Sequence, residues 1–318
     1  MRQPKILVVG SMNMDVNIYG VPKIPDYGES VACRSYLYSI GGKGSNQAYA
    51  AALQGADVTM VGRVGQDDNG YILARELEKA GVNTSHIVFD QEAQTGLAPI
   101  MVDPSGKYVS YVVLGANNNL RPEDVKKAIN SDYYDMVVMQ LEIPLETVYK
   151  TYEFASAKGI PVFLDAGPAM KISLESLKGM YIISPNEAET KALTGITVDS
   201  EQKALEASKR LFSEAEPQFV ILKMGSQGAY IYDGTKGRMY PAYKIETVDS
   251  TGAGDTFNAV LAFKLCQGMD LDEAVKHANA AAALCVSRKG ALTSIPTLRE
   301  VDEFLKVIDK KNNKLAAN

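Results

Sequence analysis

The chain has 318 residues, 46% of them hydrophobic, enough to bury a substantial core in one large α/β domain or two of ordinary size. With 22% charged residues and a net charge of −5 it carries no basic block, which argues against a nucleic-acid partner or an anionic membrane surface. Cys33, Cys266 and Cys285 show no metal-ligand spacing, and His86 and His277 lie near no candidate nucleophile, so a His-dependent triad or a His-based zinc site is not expected.

The N-terminus goes straight into an apolar strand pattern, Lys5 to Gly10, with no signal-peptide layout. No apolar run approaches the ~20 residues needed to span a bilayer, so a cytoplasmic protein is expected. From Ser11 to Tyr19 polar and apolar residues alternate, predicting a strand with Asn13, Asp15 and Asn17 on one side. Such a row either serves a polyol ligand or faces water. An extended run over Ser30 to Ile40 leads into Gly41-Gly42-Lys43-Gly44-Ser45-Asn46-Gln47 and a helix through Leu53. That glycine loop lacks the Ser/Thr after Gly-Lys of a P-loop and the spacing of a dinucleotide fingerprint, so it suits a close backbone approach to a polar ligand.

Val58 to Val64 reads as a strand, and Asn69 to Ala80 as an amphipathic helix with Ile72, Leu73 and Leu77 inward, begun by a turn at Asp67-Asp68. Two extended runs, Gly96 to Asp103 and Tyr108 to Leu114, flank turn residues at 103–107 and predict a hairpin. With the runs at 12–20 and 30–40 it makes a small separate sheet.

Strand and helix then alternate: strands at 135–140, 162–165, 180–184 and 219–223, helices at 145–158, 186–194 and 199–213. This order predicts a mainly parallel sheet covered on both faces, with ligands at the carboxyl ends of its strands. Glu142, Asp165, Asn186, Glu187, Glu189 and Lys223 fall at those ends. A glycine turn, Met224-Gly225-Ser226-Gln227-Gly228, opens a hairpin of 229–233 with 237–243, and a β-type run covers Tyr240 to Val248. Asp270 with Glu273 reads as a capping box for a helix over Ala274 to Val286, and Lys310 to Lys314 as a solvated tail. There is no repeat, low-complexity segment or linker, so residues 1–318 are expected to form a single domain.

The most informative stretch is Asp249-Ser250-Thr251-Gly252-Ala253-Gly254-Asp255-Thr256-Phe257-Asn258-Ala259, which opens an apolar helix. Unpaired N–H groups and the helix dipole make its start a seat for phosphate. Asp255 at that end is either a carboxylate base or a helix cap.

Taken together, the motifs resemble the ribokinase (PfkB-type) family of carbohydrate kinases. Gly41 to Asn46 and Asp249 to Asp255 look like its two signatures. Ser11-Met12-Asn13-Met14-Asp15, Met139-Gln140-Leu141-Glu142, Ser184-Pro185-Asn186-Glu187-Ala188-Glu189 and Arg288-Lys289-Gly290-Ala291 match in register, from about Lys5 to Phe304. The resemblance implies a three-layer α/β/α fold with a discontinuous β-sheet lid from approximately 12–40 and 95–116. It implies Asp255 as general base on a sugar's primary hydroxyl and the N–H groups of Gly252, Ala253 and Gly254 as an anion hole.

By the same resemblance Asn13, Asp15, Gly41, Gly42, Asn46 and Glu142 hold the sugar, while Lys43 either neutralises phosphate charge or serves only through its loop's backbone. Asn186 and Glu189 lie near the phosphates and Mg²⁺; Lys223, Gly225, Ser226, Gly228 and Asn279 line ATP. Lys223 departs from the family, which often carries threonine there. A K⁺ site is implied at Asp249, Thr251, Cys285, Arg288, Gly290 and Ser294, and a homodimer through the lid. The expected reaction is ATP-dependent phosphorylation of D-ribose at its 5-hydroxyl. Its rivals are another acceptor (fructose, 2-keto-3-deoxygluconate, deoxyribose, a nucleoside) or a non-catalytic sugar- or nucleotide-binding regulator.

Overall fold

The computed structural model describes the backbone of residues 2–105 and 107–316 and, apart from Tyr108 and residues 311–316, their side chains. The chain begins β1 (Lys5–Val9), β2 (Asn13–Tyr19), β3 (Ser35–Gly41), α1 (Lys43–Leu53), β4 (Asp57–Gly65) and α2 (Asp68–Lys79). It continues through β5 (Asn83–Asp90), β6 (Gly96–Val102), β7 (Tyr108–Ser110), α3 (Pro122–Ser131), β8 (Met136–Met139), α4 (Leu145–Ala157) and β9 (Val162–Asp165). Then come β10 (Ile182–Ser184), α5 (Glu187–Thr194), α6 (Glu201–Ala215), β11 (Phe219–Lys223), β12 (Gly228–Tyr232) and β13 (Gly237–Pro241). Three helices close it: α7 (Ala253–Cys266), α8 (Leu271–Val286) and α9 (Leu298–Ala316).

A nine-stranded sheet runs in the order β13-β12-β11-β10-β9-β8-β1-β4-β5. Its strands are parallel from β11 to β5, and β12 and β13 extend it antiparallel. Alternation along β1 divides the core. Ile6 and Val8 face a layer built on α1, α2, α7 and α8, whereas Leu7 and Val9 face one built on α3, α4 and α6. Apolar residues on both faces of a strand require helices on both sides, and that gives the three-layer architecture.

A second sheet, in the order β3-β2-β6-β7, stands apart from the first. It pairs β2 with β6 in parallel and uses antiparallel pairs at its edges. Of the turn expected at 103–107, Gly106 lies outside the described residues; Asp103 Oδ1 accepts the N–H groups of Ser105 and Lys107.

Several expectations need correction. The extended run at 30–40 is a strand only from Ser35, because β2 supplies no partner beyond Tyr19, where Gly20 turns with φ 72°. The β-type run at 240–248 likewise ends at Pro241, the last residue paired with β12. Ile72 is 37% exposed, since the buried stripe of α2 runs through Gly70, Leu73, Ala74 and Leu77. Half of the expected capping box forms: Asp270 accepts from Glu273 N–H, while the Glu273 carboxylate turns to Lys276. Residues 310–314 continue α9 rather than forming a tail. Three elements were not anticipated: the edge strand β5, with a polar first half, α3, which starts on Pro122, and α9.

Candidate active site

The carboxyl ends of β8 to β11 and the starts of α1, α5 and α7 converge on one cluster of charge. Gly252 adopts φ 77° at the N-cap of α7, a left-handed conformation that glycine takes without strain. Thr256 N–H then closes the first turn on the Gly252 carbonyl at 2.8 Å. Asp255, in that turn and only 6% exposed, is held from α1: Asn46 Nδ2 donates to Oδ2 at 2.8 Å and Gln47 Nε2 to Oδ1 at 3.1 Å. The Lys43 ammonium stands 3.7 Å from Oδ1. Asn46 Oδ1 is buried without a hydrogen-bond partner.

The glycine loop before α1 is shaped by close approach to the segment joining β1 and β2. A Cβ on Gly44 would stand 2.7 Å from Ser11 backbone atoms, and one on Gly42 2.7 Å from Asn13 N. On Gly41 it would strike the Asp15 carboxylate at 2.1 Å. Asn13 and Asp15 are buried, which removes the reading of a water-facing row. Burial, with Glu142 and Asp255 nearby, pushes the Asp15 carboxyl up to about 7. Glu142 accepts the Ser11 hydroxyl and Lys43 N–H, the latter at 3.2 Å.

On the other side of Asp255 lies a second group of polar residues. Asn186 caps α5, its Oδ1 accepting Glu189 N–H at 2.9 Å, and Glu189 returns the bond by accepting Asn186 N–H at 2.7 Å. Burial is the main cause that raises the Glu189 pKa. Asp165, wholly buried at the end of β9, accepts from Lys223, from Lys43 at 3.3 Å and from Gln47 at 2.9 Å. Desolvation opposes its ionisation, but Lys223 and Lys43 outweigh it and hold the carboxyl below its usual range. Those lysines keep Asp165 charged.

The expected nucleotide residues follow β11. Lys223 N–H donates to Pro185 O at 2.8 Å, and Met224 N–H to Gly228 O at 2.8 Å, closing the turn that holds Gly225 and Ser226. Asn279 is bound to backbone, its amide reaching the Tyr240 and Pro241 carbonyls at 3.3 Å. Beside α7, Asp249 Oδ1 accepts Thr251 N–H at 2.9 Å and Oδ2 accepts Gly290 N–H at 3.0 Å. Cys285 Sγ lies 3.7 Å from the Thr251 carbonyl and 3.0 Å from Ser294 Oγ. Arg288 turns its guanidinium to Glu300, leaving only its backbone for this patch.

Among the described residues, no group of at least three His, Cys, Asp or Glu side chains is set to hold a metal. The side-chain oxygens of Asn186 and Glu189 suit Mg²⁺ held through its own water, because each already accepts a hydrogen bond within the α5 cap. The patch at Asp249 suits a monovalent cation taken mainly by neutral oxygens, since each carboxylate oxygen already accepts one N–H group.

The sequence reading missed Gln47, Gln140, Asn117 and Ser11. Gln140 donates to Gln47 at 2.6 Å, and Asn117 Nδ2 donates to Asn13 Oδ1 at 2.7 Å. Their only signal was position: Gln47 follows Asn46, and Gln140 lies two residues before Glu142. A cavity of about 840 Å³ lies near the edge of the small sheet, lined by Tyr38, Tyr49, Ile72 and Lys289 among others, and Asp255 is not part of its wall. Among the described residues, no helix is long and apolar enough to cross a membrane.

Comparison with known proteins agrees with this arrangement. The model of the pfkB family carbohydrate kinases matches residues 3–298. The chain is 37% identical to the ribokinase of Bacillus subtilis, over 94% of this chain and 99% of the other. It is 33% identical to the deoxyribokinase of Salmonella typhimurium, over 94% and 98%. A structure of Arabidopsis thaliana ribokinase complexed with ribose and ATP superposes with a TM-score of 0.86 at 31% identity, covering 96% of this chain and 99% of that one. A match of the family model over residues 3–298, on this fold and with a buried carboxylate in the first turn of α7, places the chain in the pfkB family of carbohydrate kinases.

Proposed function

We propose that this protein transfers the γ-phosphoryl group of ATP to the 5-hydroxyl of D-ribose, giving D-ribose 5-phosphate and ADP. The observation that carries the reading is Asp255, a buried carboxylate in the first turn of α7, held by Asn46 and Gln47 directly beside the first N–H groups of that helix. In this reading Asn13, Asp15, Gly41, Gly42, Asn46 and Glu142 bind and orient the sugar. Carboxylates and amides suit vicinal hydroxyls because they accept or bridge hydrogen bonds. Asp255 takes the proton of the attacking hydroxyl, and the N–H groups of Gly252, Ala253 and Gly254 bind the oxygens on which charge develops. Lys43 adds positive charge 3.7 Å from Asp255.

Bound Mg²⁺ would neutralise the phosphates, held through water by Glu189 and Asn186. The turn from Lys223 to Gly228, with Asn279, lines the nucleotide. The residues Asp249, Thr251, Cys285, Arg288, Gly290 and Ser294 would hold K⁺, which would supply positive charge that steadies the loop's shape. The small sheet, with β2 carrying Asn13 and Asp15, acts as a lid of the single domain. It also supplies a homodimer surface, a role supported by the exposure of Tyr36, Leu37, Tyr38 and Tyr111. A sedimentation mass of one chain at micromolar concentration would exclude the dimer. A cytoplasmic location accords with ATP as donor, and recovery in another cell fraction would overturn it.

The test is ADP release with Mg²⁺-ATP across pentoses, deoxyribose, hexoses and nucleosides. Turnover is expected to be fastest with D-ribose. The likeness to a deoxyribokinase makes deoxyribose the second reading. Faster turnover with deoxyribose would keep the mechanism and replace the substrate; sugar binding without ADP release would replace the enzyme by a binding protein.

A further inference from the structure

Asp165 carries a charge arrangement that base, anion hole and sugar contacts do not account for. Its carboxylate has no exposed surface, and it sits between two ammonium groups: Lys223 on Oδ1, and Lys43 on Oδ2 at 3.3 Å. A buried carboxylate is costly unless paired, and one lysine would pair it. Two ammonium groups are more than Asp165 alone needs, and each also faces a further carboxylate, Lys223 that of Glu189 at 3.9 Å and Lys43 that of Asp255 at 3.7 Å. Lys223 is only 12% exposed at its side chain. A Cβ placed on Gly254 would stand 4.0 Å from Lys223 Nζ, so the ammonium borders the anion-binding turn itself. Gly167 makes room for the assembly, since a Cβ there would stand 2.4 Å from Glu189 Oε1 and 2.8 Å from Lys43 Nζ.

We propose that Lys223 is a second cation of the phosphoryl-transfer centre, contacting the transferred group, and that Asp165 is the positioning residue that aims Lys223 and Lys43 together. The inference rests on the kinase reading above. In the step itself the sugar oxygen bonds to the γ-phosphorus as the bond from phosphorus to the ADP oxygen breaks, and the hydroxyl proton passes to Asp255. Lys223 donates hydrogen bonds to the phosphoryl oxygens, on which a threonine hydroxyl at this position would place no net charge. Its part is to stabilise charge that is fully developed only in transit.

The experiment compares wild type, Lys223→Met, Lys223→Arg and Asp165→Asn. Each is assayed for turnover, for the KM of D-ribose, and by calorimetry for ADP binding with Mg²⁺, with and without aluminium fluoride as the mimic of the transferred group. Aluminium fluoride is expected to tighten ADP binding to wild type, and Lys223→Met should lose most of that gain whatever it does to the binding of ADP alone. Its kcat should fall roughly 10²-fold, the scale for losing one donor to developing charge, with the KM of D-ribose within about twofold. Lys223→Arg should restore part of both, and Asp165→Asn should show the same pattern as Lys223→Met. The proposal is overturned if wild type shows no gain from aluminium fluoride, if Lys223→Met keeps it, or if Lys223→Met weakens both forms of ADP binding equally. Should Lys223→Met not fold, Lys223→Arg decides: a full return of kcat with no aluminium fluoride gain overturns the idea, and a shared partial return upholds it. Wild-type turnover with D-ribose is read separately, since its failure removes the substrate while the sugar-free binding contrast still decides Lys223.

Discussion

Asn46 Nδ2 donates to Asp255 Oδ2 at 2.8 Å, joining the first turn of α1 to that of α7 across 209 positions of the chain. The bond fixes the carboxylate whose other oxygen, Oδ1, accepts from Gln47 and faces Lys43 at 3.7 Å. An amide in place of the carboxylate keeps size and shape but cannot take the hydroxyl proton. Asp255→Asn is expected to lower kcat by about 10³–10⁴-fold, in the range of a lost general base, with sugar and nucleotide affinities changed little. Near-normal turnover with an unaltered melting temperature would remove Asp255 as the base.

Gly41 is needed for what stands in front of it. Its position opposite Asn13 in the β2–β3 ladder puts a Cβ 2.1 Å from the Asp15 carboxylate. Gly41→Ala must displace Asp15, a sugar-side group, and leaves Asp255 and the anion hole alone. The expected outcome is a KM for D-ribose raised about 10- to 100-fold, equivalent to about 1.4–2.8 kcal/mol of binding, with kcat within a few-fold. An unchanged KM would show that Asp15 does not hold the sugar.

The sequence made much of this centre legible. Gly41 to Asn46 and Asp249 to Asp255 are local strings whose spacing sets a turn and a helix start, so they could be read without a partner. The lysine pairing of Asp165 and the part of Gln47 could not be read that way. A carboxylate at the end of β9 is an ordinary strand terminus until β11 brings Lys223 beside it and α1 brings Lys43. Pairing likewise decided the strands: the extended runs beyond Tyr19 and Pro241 were patterned correctly but had no neighbour to bond. The buried stripe of α2 runs through Gly70, Leu73, Ala74 and Leu77 and leaves Ile72 at its margin, because a sequence carries the period of such a stripe and not its centre.

Asp249 is the clasp of the proposed cation site, tying Thr251 to Gly290 through two N–H bonds. Loss of the carboxylate frees the loop ahead of the anion hole. Wild-type turnover is expected to be several-fold higher in K⁺ than in Na⁺, and Asp249→Ala to lose that difference while staying folded, at or below the wild-type rate in Na⁺. Equal wild-type rates in the two salts would remove the cation site from the mechanism.

Asp15 makes sugar binding and stability depend on pH in opposite directions. Burial first, then the charges of Glu142 and Asp255, raise its carboxyl from 3.8 to about 7 in the folded chain. Below 3.8 both folded and unfolded chains hold the proton, between 3.8 and about 7 only the folded chain does, and above that neither does. Raising the pH through this window therefore favours the unfolded chain, which binds fewer protons, so this contribution lowers stability until about pH 7 and is level beyond. Its full size is about 4 kcal/mol, from 1.36 kcal/mol per pH unit of displacement. Asp15→Asn should flatten that part of the urea-unfolding profile measured without sugar. The ligand responds the other way: a sugar hydroxyl donates best to the ionised carboxylate, so the KM for D-ribose should fall between about pH 6 and about pH 8 in wild type and stay level in Asp15→Asn. A wild-type KM that rises over that range would mean the protonated carboxyl is the form that receives the sugar, as a donor to it.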